Sequence, residues 1–544
     1  MSLFNLSGEL ILLILDELDP VSLFQFCRAS RVIYTMAGHT STLRYRYELA
    51  FCGVRDGPPS RYSSRNRLAP LLAYKRGWST LTWSAEDRLA FTPPTIIAVT
   101  GNFLYQASQN PINNGFTWSL HIYALRSFRR ILQGKLAYYH YNIPFEIRGV
   151  AIDLSQDLMI LAQLYFPAQQ NSAILAVLHL RGLSTGQEHQ HAVQSRLRYH
   201  TDWWGVPLPG ERVSIQQVQI CGSIAALSVR LQLDKGEGVT ELALFDWKIG
   251  GSPLRTFTGD TLSFDILSDT RITMVSQPDD DEDHSSNSSN TSYDWRSDNL
   301  YAIERGKRPP QIGVYEIHRG REHSVPRIRS YEFPESWSTV SFLQQCPNSS
   351  SKEIASPPPG TLFYNDPCLR LTAVTFEFPH HALPAGCSRK VVVVINESKL
   401  EPAGDGEEVV RWEDWMEHCM VLNLPDDADA VQLAGRRLVF FENSATSTRD
   451  SSSRIHILDL NPHIARYLWT LSRQNPPWRW QESWGSISTV FDHRGSQYVR
   501  TSTVGTHSLT WMDTTEDSLV LYDEREGQTR VRILTFGQEL KVSF

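Results

Sequence analysis

Three groups of residues have types and spacing that bear on chemistry. Trp412, Glu413, Asp414, Trp415, Glu417 and His418 set carboxylates beside aromatic rings, an arrangement in which a glycosidase donates a proton from one acid and stabilises or attacks with another. Adjacent carboxylates on one short helix also face solvent as a rule, and spacing does not reveal the separation that a sugar requires, so both readings stand at this point. His380, His381 and Cys387 suggest a metal site, yet no complementary Cys or His pair occurs at finger-like spacing, which favours a surface loop. Gly236-Glu237-Gly238 and Gly404-Asp405-Gly406 are fragments of glycine-rich patterns. Neither sits between a strand and a helix as phosphate binding requires, and both read as turns. No Gly-x-Ser-x-Gly elbow, P-loop, His-Glu-x-x-His or kinase signature occurs. No cofactor, metal or catalytic residue is therefore expected.

Composition narrows the classes further. At 544 residues the chain exceeds one ordinary domain of about 150 residues, unless a large β fold takes most of it. A hydrophobic content of 41% supports a real core, and a net charge of -7 argues against general nucleic-acid affinity. The seven cysteines are scattered and odd in number, with no Cys-x-x-Cys pair, which favours reduced thiols acting as small core residues. Asn-x-Ser/Thr triplets at Asn287, Asn290, Asn348 and Asn396 are expected to stay unmodified, since Met1 to Ser7 has no basic n-region of a secretory signal. No stretch reaches membrane-spanning length. A cytoplasmic location is expected, with nuclear residence open.

The elements that must position any site change character near residue 80. Leu10 to Leu15 is a run of six large apolar residues bracketed by Glu9, Asp16 and Glu17, too short for a membrane span and apolar all the way round a helix. Ser7 is placed to cap it, and Asp19-Pro20 supplies a new cap for a helix over Pro20 to Arg28, with a third from Ala29 to about Ala37. One face of the first helix can enter its own core; the other requires either a partner or another part of the chain. Two further helices, Ser41 to Gly53 and Arg65 to Trp78, read as a stalk, the alternative being that they pack wholly onto the next domain.

From about Leu81 the apolar period becomes 2 and stays so, in short runs separated by Gly, Asp, Asn and Pro turns. An all-β region of this length fits radial repetition of four-stranded blades. ELALFDWKIGG (Glu241 to Gly251), QIGVYEIHRG (Gln311 to Gly320), RIHILDLNP (Arg454 to Pro462), LVLYDEREG (Leu519 to Gly527) and LHLRGLSTG (Leu178 to Gly186) recur as one unit. SQDLMILAQ (Ser155 to Gln163), SDTRITMVS (Ser268 to Ser276) and AGRRLVFFE (Ala434 to Glu442) recur as another upstream. Together they look like the third and fourth strands of about seven propeller blades, six or eight remaining open. Residues 277–298, 344–360 and 401–408 read as disordered insertions. The tryptophan pairs Trp203-Trp204 and Trp478/Trp480 suit either rim anchors or burial between blades.

These residues carry two resemblances. Leu6, Glu9, Leu10, Ile14, Leu15, Leu18, Asp19, Pro20, Leu23 and Ser30-Arg31 resemble the F-box pattern over about forty residues, with Ser7 where the family usually has proline and Ile33 or Tyr34 where tryptophan is common. RLAPLLAYKRGWSTLTW, AIDLSQDLMILA, RGLSTGQEH and LFDWKIGG resemble, in order, the C-terminal halves of F-box proteins common in mushroom-forming fungi. The resemblance implies a mainly β chain with a small all-α N-terminal module: F-box helices over 1–40, linker helices over 41–80 and a propeller-like domain over 81–544. It implies a substrate-recognition subunit of an SCF-type cullin-RING ubiquitin ligase, docking on a Skp-family adaptor through Leu6, Leu10, Ile14, Leu18, Pro20, Leu23 and Phe26 and performing no covalent chemistry itself. A non-ligase propeller scaffold is the first alternative and a propeller glycan hydrolase the second. No nucleic-acid or membrane partner is expected.

Overall fold

The helical caps form where the side chains allow. In the computed structural model, Ser7 Oγ accepts the Leu10 N–H at the start of α1 (Gly8–Glu17), and Asp19 accepts the Val21 and Ser22 N–H groups at the start of α2 (Pro20–Ala29). Ser30 caps α3 (Arg31–His39) in the same way. α4 (Ser41–Cys52) ends at Gly53 in the left-handed conformation, φ 67, which glycine adopts without penalty. α5 runs Ser64–Thr80. The structure describes residues 5–92, 95–112, 115–130, 137–166, 174–201, 213–232, 238–259, 263–277, 308–317, 328–338, 340, 342–346, 357, 360–379, 389–401, 408–443, 453–461, 463, 485–491, 497–503, 509–525 and 527–538.

The β region folds into seven sheets arranged around one axis, and an eighth, two-stranded sheet joins Val54–Asp56 to Phe363–Asn365. From the inner strand outward, blade 1 is Thr95–Thr100, Phe103–Ile112, Gly115–Ala124 and Tyr138–Ile143. Blade 2 is Gly149–Asp153, Leu158–Tyr165, Leu175–Gly182 and Arg196–His200, and blade 3 is Val213–Cys221, Ile224–Gln232, Gly238–Asp246 and Arg255–Gly259. Blade 4 comprises Ser263–Ser268, Arg271–Ser276, Gln311–Glu316 and Ile328–Glu332, with Glu408–Val410 added in parallel. Blade 5 comprises Phe342–Gln345, Leu371–Glu377, Lys390–Asn396 and Cys419–Leu424. In blade 6, Ala428–Ala434, Arg437–Asn443 and Ser453–Asp459 are followed by Gln497–Thr503 and then Gly485–Phe491. Blade 7 takes Trp511–Thr514, Ser518–Arg525 and Gln528–Thr535 from the end of the β region, and its outermost strand, Ala85–Phe91, from the beginning. That pairing closes the ring: the chain is a seven-bladed β-propeller with a small helical N-terminal module.

The recurrent units are the second and third strands of blades, not the third and fourth. Ser155 to Gln163, Ser268 to Ser276 and Ala434 to Glu442 carry second strands, Glu241 to Gly251 and Arg454 to Pro462 third strands, and Leu519 to Gly527 a second strand again. The physical reason is burial on both faces, because each blade is sandwiched between two others and its middle strands touch both. Leu158–Tyr165 is buried at seven of its eight positions, whereas the outer strand Arg196–His200 alternates exposed and buried.

The stalk expectation also needs correction. α4 and α5 are wedged against the ring, with Tyr45, Leu49, Leu71, Tyr74 and Trp78 in one core with Val439, Phe441 and Ile457 of blade 6, Leu519 of blade 7, and Phe536. Trp78 stacks on Phe536 at 4.1 Å between ring centroids. The expected disordered insertions lie outside the described residues except at their margins. There, Gln344 and Gln345 end the inner strand of blade 5 and Glu408 opens the added strand of blade 4.

Candidate functional site

α1 divides its apolar residues between two faces. Ile11 and Leu15 are buried with Leu23, Cys27, Ile33, Ala37 and Leu43 in the helical module's own core. Leu10, Leu13 and Ile14 stand 48%, 64% and 39% exposed, and Val21 at the start of α2 is 55% exposed. Leu10, Leu13 and Ile14 follow helical spacing, so they form one stripe. The ring engages the other side of the module: Phe24 of α2 lies 4.6 Å from the His463 ring, and Asn461 Nδ2 donates to the Phe51 carbonyl. Arg46 Nη1 meets Asp16 Oδ1 at 3.3 Å, fastening α4 to the end of α1. Hydrogen bonds from the Ser22 hydroxyl and backbone hold the Asp19 carboxyl below its ordinary range, so the cap stays charged.

The seven residues expected to contact an adaptor are therefore distributed unevenly. Leu10 and Ile14 lie on the open stripe. Leu6, Leu18, Pro20 and Phe26 are half-buried, and Leu6, Leu18 and Phe26 pack against the module's own core. Leu23 is fully buried in the module's core and presents no surface. Leu13 and Val21, which the sequence pattern does not single out, are the most exposed large apolar residues of the two helices; helical phase alone separates Leu13 from Leu15.

The other groups with chemical potential are dispersed. Trp415 is buried and donates its indole N–H to the Glu332 carbonyl at 2.9 Å, within an aromatic cluster with Phe333, Trp337, Phe376 and Trp412. Glu413, Asp414 and Glu417 are all exposed, so the arrangement is an aromatic core with an acidic surface, not two carboxylates across a sugar. His380, His381, Cys387, Trp203, Trp204, Trp478 and Trp480 lie outside the described residues. Among the described residues no group of three or more potential metal ligands assembles, and six cysteines are free thiols. No helix among them is long and apolar enough to cross a membrane.

A second feature is the axial channel. Inner strands of blades 1, 2, 3, 6 and 7 enclose a cavity of about 470 Å³, within the size range of small-ligand pockets. Its walls include Asp513, which accepts hydrogen bonds from the Tyr522 hydroxyl at 2.8 Å and the Gln432 amide at 2.9 Å. At one end, blade 5 sends the segment around Thr361 to Arg370 across to the helices. Leu362 N–H donates to the Arg129 carbonyl at 2.7 Å, and Phe363–Asn365 pairs with Val54–Asp56.

No family model and no curated protein matches the chain. Among solved structures it is similar to the β-propeller domain of the trilobed protease from Pyrococcus furiosus, at 8% identity and a TM-score of 0.38, over 82% of this chain and 99% of that one. It is similar to prolyl oligopeptidase B from Galerina marginata at 7% identity and a TM-score of 0.32, over 76% of this chain and 46% of that one. For the acylaminoacyl peptidase of Pyrococcus horikoshii the values are 9%, 0.25, 80% and 59%. The chain thus spans about half the length of these last two enzymes. The expectation that the chain performs no covalent chemistry itself runs against these likenesses, which are to a protease domain and two peptidases. At such identities no catalytic residue carries across, and what the likenesses share with this chain is the propeller.

Proposed function

We propose that this chain is a substrate receptor of an SCF-type ubiquitin ligase: its N-terminal helices dock on a Skp-family adaptor and its propeller holds a protein to be modified. The observation that carries the proposal is the division of α1 into a buried face, Ile11 and Leu15, and an open apolar stripe, Leu10, Leu13 and Ile14. Exposed apolar stripes of this kind mark sites of association. The resemblance of Leu6 to Arg31 to the F-box pattern names the partner. The propeller supports the second half of the proposal, since radial blades present a rigid platform of loops on which a polypeptide can be held. Tethering a substrate beside a charged conjugating enzyme raises its effective concentration, which turns a bimolecular transfer into a nearly intramolecular one.

The test is co-expression of the chain with a Skp-family adaptor, followed by size-exclusion chromatography. The wild-type pair is expected to elute as a one-to-one complex. Ile14→Asp buries a charge at the interface and is expected to cost about 2 kcal/mol or more of binding, the scale of an interface hot spot. Because Ile14 lies on the open stripe, the variant keeps its thermal midpoint. Leu23→Asp is the wrong probe, since it would unfold the module. An unchanged complex with Ile14→Asp, or a wild-type chain that elutes alone, overturns the proposal.

A further inference from the structure

A small pocket lies where the helices meet the ring. Four arginines are among its lining residues, Arg129 and Arg130 in the last loop of blade 1, Arg370 at the end of the crossing segment and Arg436 in the first turn of blade 6, with two acidic residues, Asp366 and Glu516. Both carboxylates are already engaged: Glu516 by Arg129 and by the Asn365 amide at 2.7 Å, and Asp366 by Arg55 at 2.9 Å. Arg370 faces Glu397 at 3.5 Å and donates to the Leu267 carbonyl at 3.3 Å through the same Nη1.

Arg436 differs from the other three. Its Nε is shut off from solvent with no hydrogen-bond partner among the described residues. Burial, with Arg437 repelling it from the next position, lowers its pKa despite the attraction of Asp459 and Asp366. A buried N–H without an acceptor is an unfavourable arrangement unless something supplies one. Glycine opens the approach on two sides: a Cβ at Gly435 would stand 2.5 Å from Asn365 Nδ2, and one at Gly53 would stand 2.7 Å from Arg436 Nη1.

We propose that this pocket binds one small tetrahedral oxyanion of the phosphate class, with Arg436 as its principal ligand and Arg130 and Arg370 beside it. The guanidinium fork matches the oxygen spacing of such an anion and donates to it in pairs. The cavity of about 40 Å³ has room for about three waters, which suits a single oxyanion and excludes a nucleotide. The anion would tie the end of α4 and the crossing segment to blades 1 and 6. It therefore acts on the junction that orients the helices on the ring, independently of whether the α1 stripe binds an adaptor.

The full chain would be titrated with inorganic phosphate by calorimetry at constant ionic strength, with its thermal midpoint followed in parallel and with sulfate and AMP as comparison ligands. Saturable binding of phosphate, a midpoint that rises with occupancy, similar behaviour for sulfate and no binding of AMP are expected. Arg436→Gln is expected to weaken phosphate about tenfold to a hundredfold. Should that variant fail to fold, Arg436→Lys keeps a cation without the fork and is expected to weaken phosphate by a smaller factor. Wild-type chain with no saturable heat, AMP binding as tightly as phosphate, or phosphate affinity unchanged in the folded Arg436 variant each overturn the site.

Discussion

Arg129 is the single side chain on which most of the junction depends. It is 3% exposed and donates to Glu516 and to both oxygens of Asp517, the Nη2–Oδ2 bond being 3.0 Å. Burial disfavours its charge, but Asp517 and Glu516 outweigh that and raise its pKa well above the ordinary arginine value. The Tyr74 hydroxyl of α5 donates to the Glu516 carbonyl at 2.7 Å, so the same turn holds the helix. Arg129→Leu strands two buried carboxylates and is expected to cost about 3–5 kcal/mol in denaturant unfolding. Adding Glu516→Gln and Asp517→Asn should recover part of that loss; a triple variant no more stable than the single one would show that packing, not charge, is what Arg129 supplies. His179 gives a pH dependence. Burial, then Arg196 and Arg181, push its pKa down to about 4, while an unfolded histidine titrates near about 6.5. Between these values the unfolded chain binds the extra proton, so the contribution is fully present above about pH 6.5 and is lost as pH falls toward 4, up to about 3 kcal/mol. His179→Leu is expected to flatten the slope of the thermal midpoint against pH in that window, and an unchanged slope would assign the acid sensitivity elsewhere.

At the scale of elements, closure of the ring rests on one seven-residue strand. Phe91 of that strand is buried against Leu104 of blade 1 and against Val520, Tyr522 and Val531 of blade 7. Phe91→Ala is expected to cost about 3–5 kcal/mol by leaving a cavity at the seam; chemical denaturation measures it, and a loss below about 1 kcal/mol would place the closing energy in the backbone ladder instead. Elements are the most legible level of the sequence. Ser7 and Asp19 cap where local chemistry says they should, the third helix starts at Arg31 behind a Ser30 cap and not at Ala29, and the change of period near residue 80 marks the start of the ring. The middle strands of the blades stand out because they are apolar on both sides, which is also why the repeat pattern places them one position too far outward: the inner strands are mixed in character, as Val213–Cys221 is, or short, as Phe342–Gln345 is. α4 and α5 read as a stalk because their apolar residues have ordinary helical spacing, and nothing local says that Tyr74 and Trp78 face Phe363 and Phe536.

At the scale of the whole molecule, legibility falls with distance along the chain. The partners of Arg129 are 387 and 388 positions away, and the pocket around Arg436 is assembled from the helices, three blades and the crossing segment; no spacing rule reaches that far. The open stripe on α1 is readable as an excess of apolar surface, but only the fold decides that the ring leaves it uncovered. Ring closure carries one more consequence, in time and not in space. Glu86 and Arg532, whose side chains meet across the closing seam at 3.1 Å, are 446 positions apart. At a synthesis rate of about 5–20 residues per second, the strand over 85–91 leaves the ribosome about 20–90 seconds before its pairing partner exists. Throughout that interval it is an unpaired, partly apolar strand edge on a nascent chain, so correct folding of this protein depends on keeping that edge from pairing with a neighbouring polypeptide until the last blade arrives.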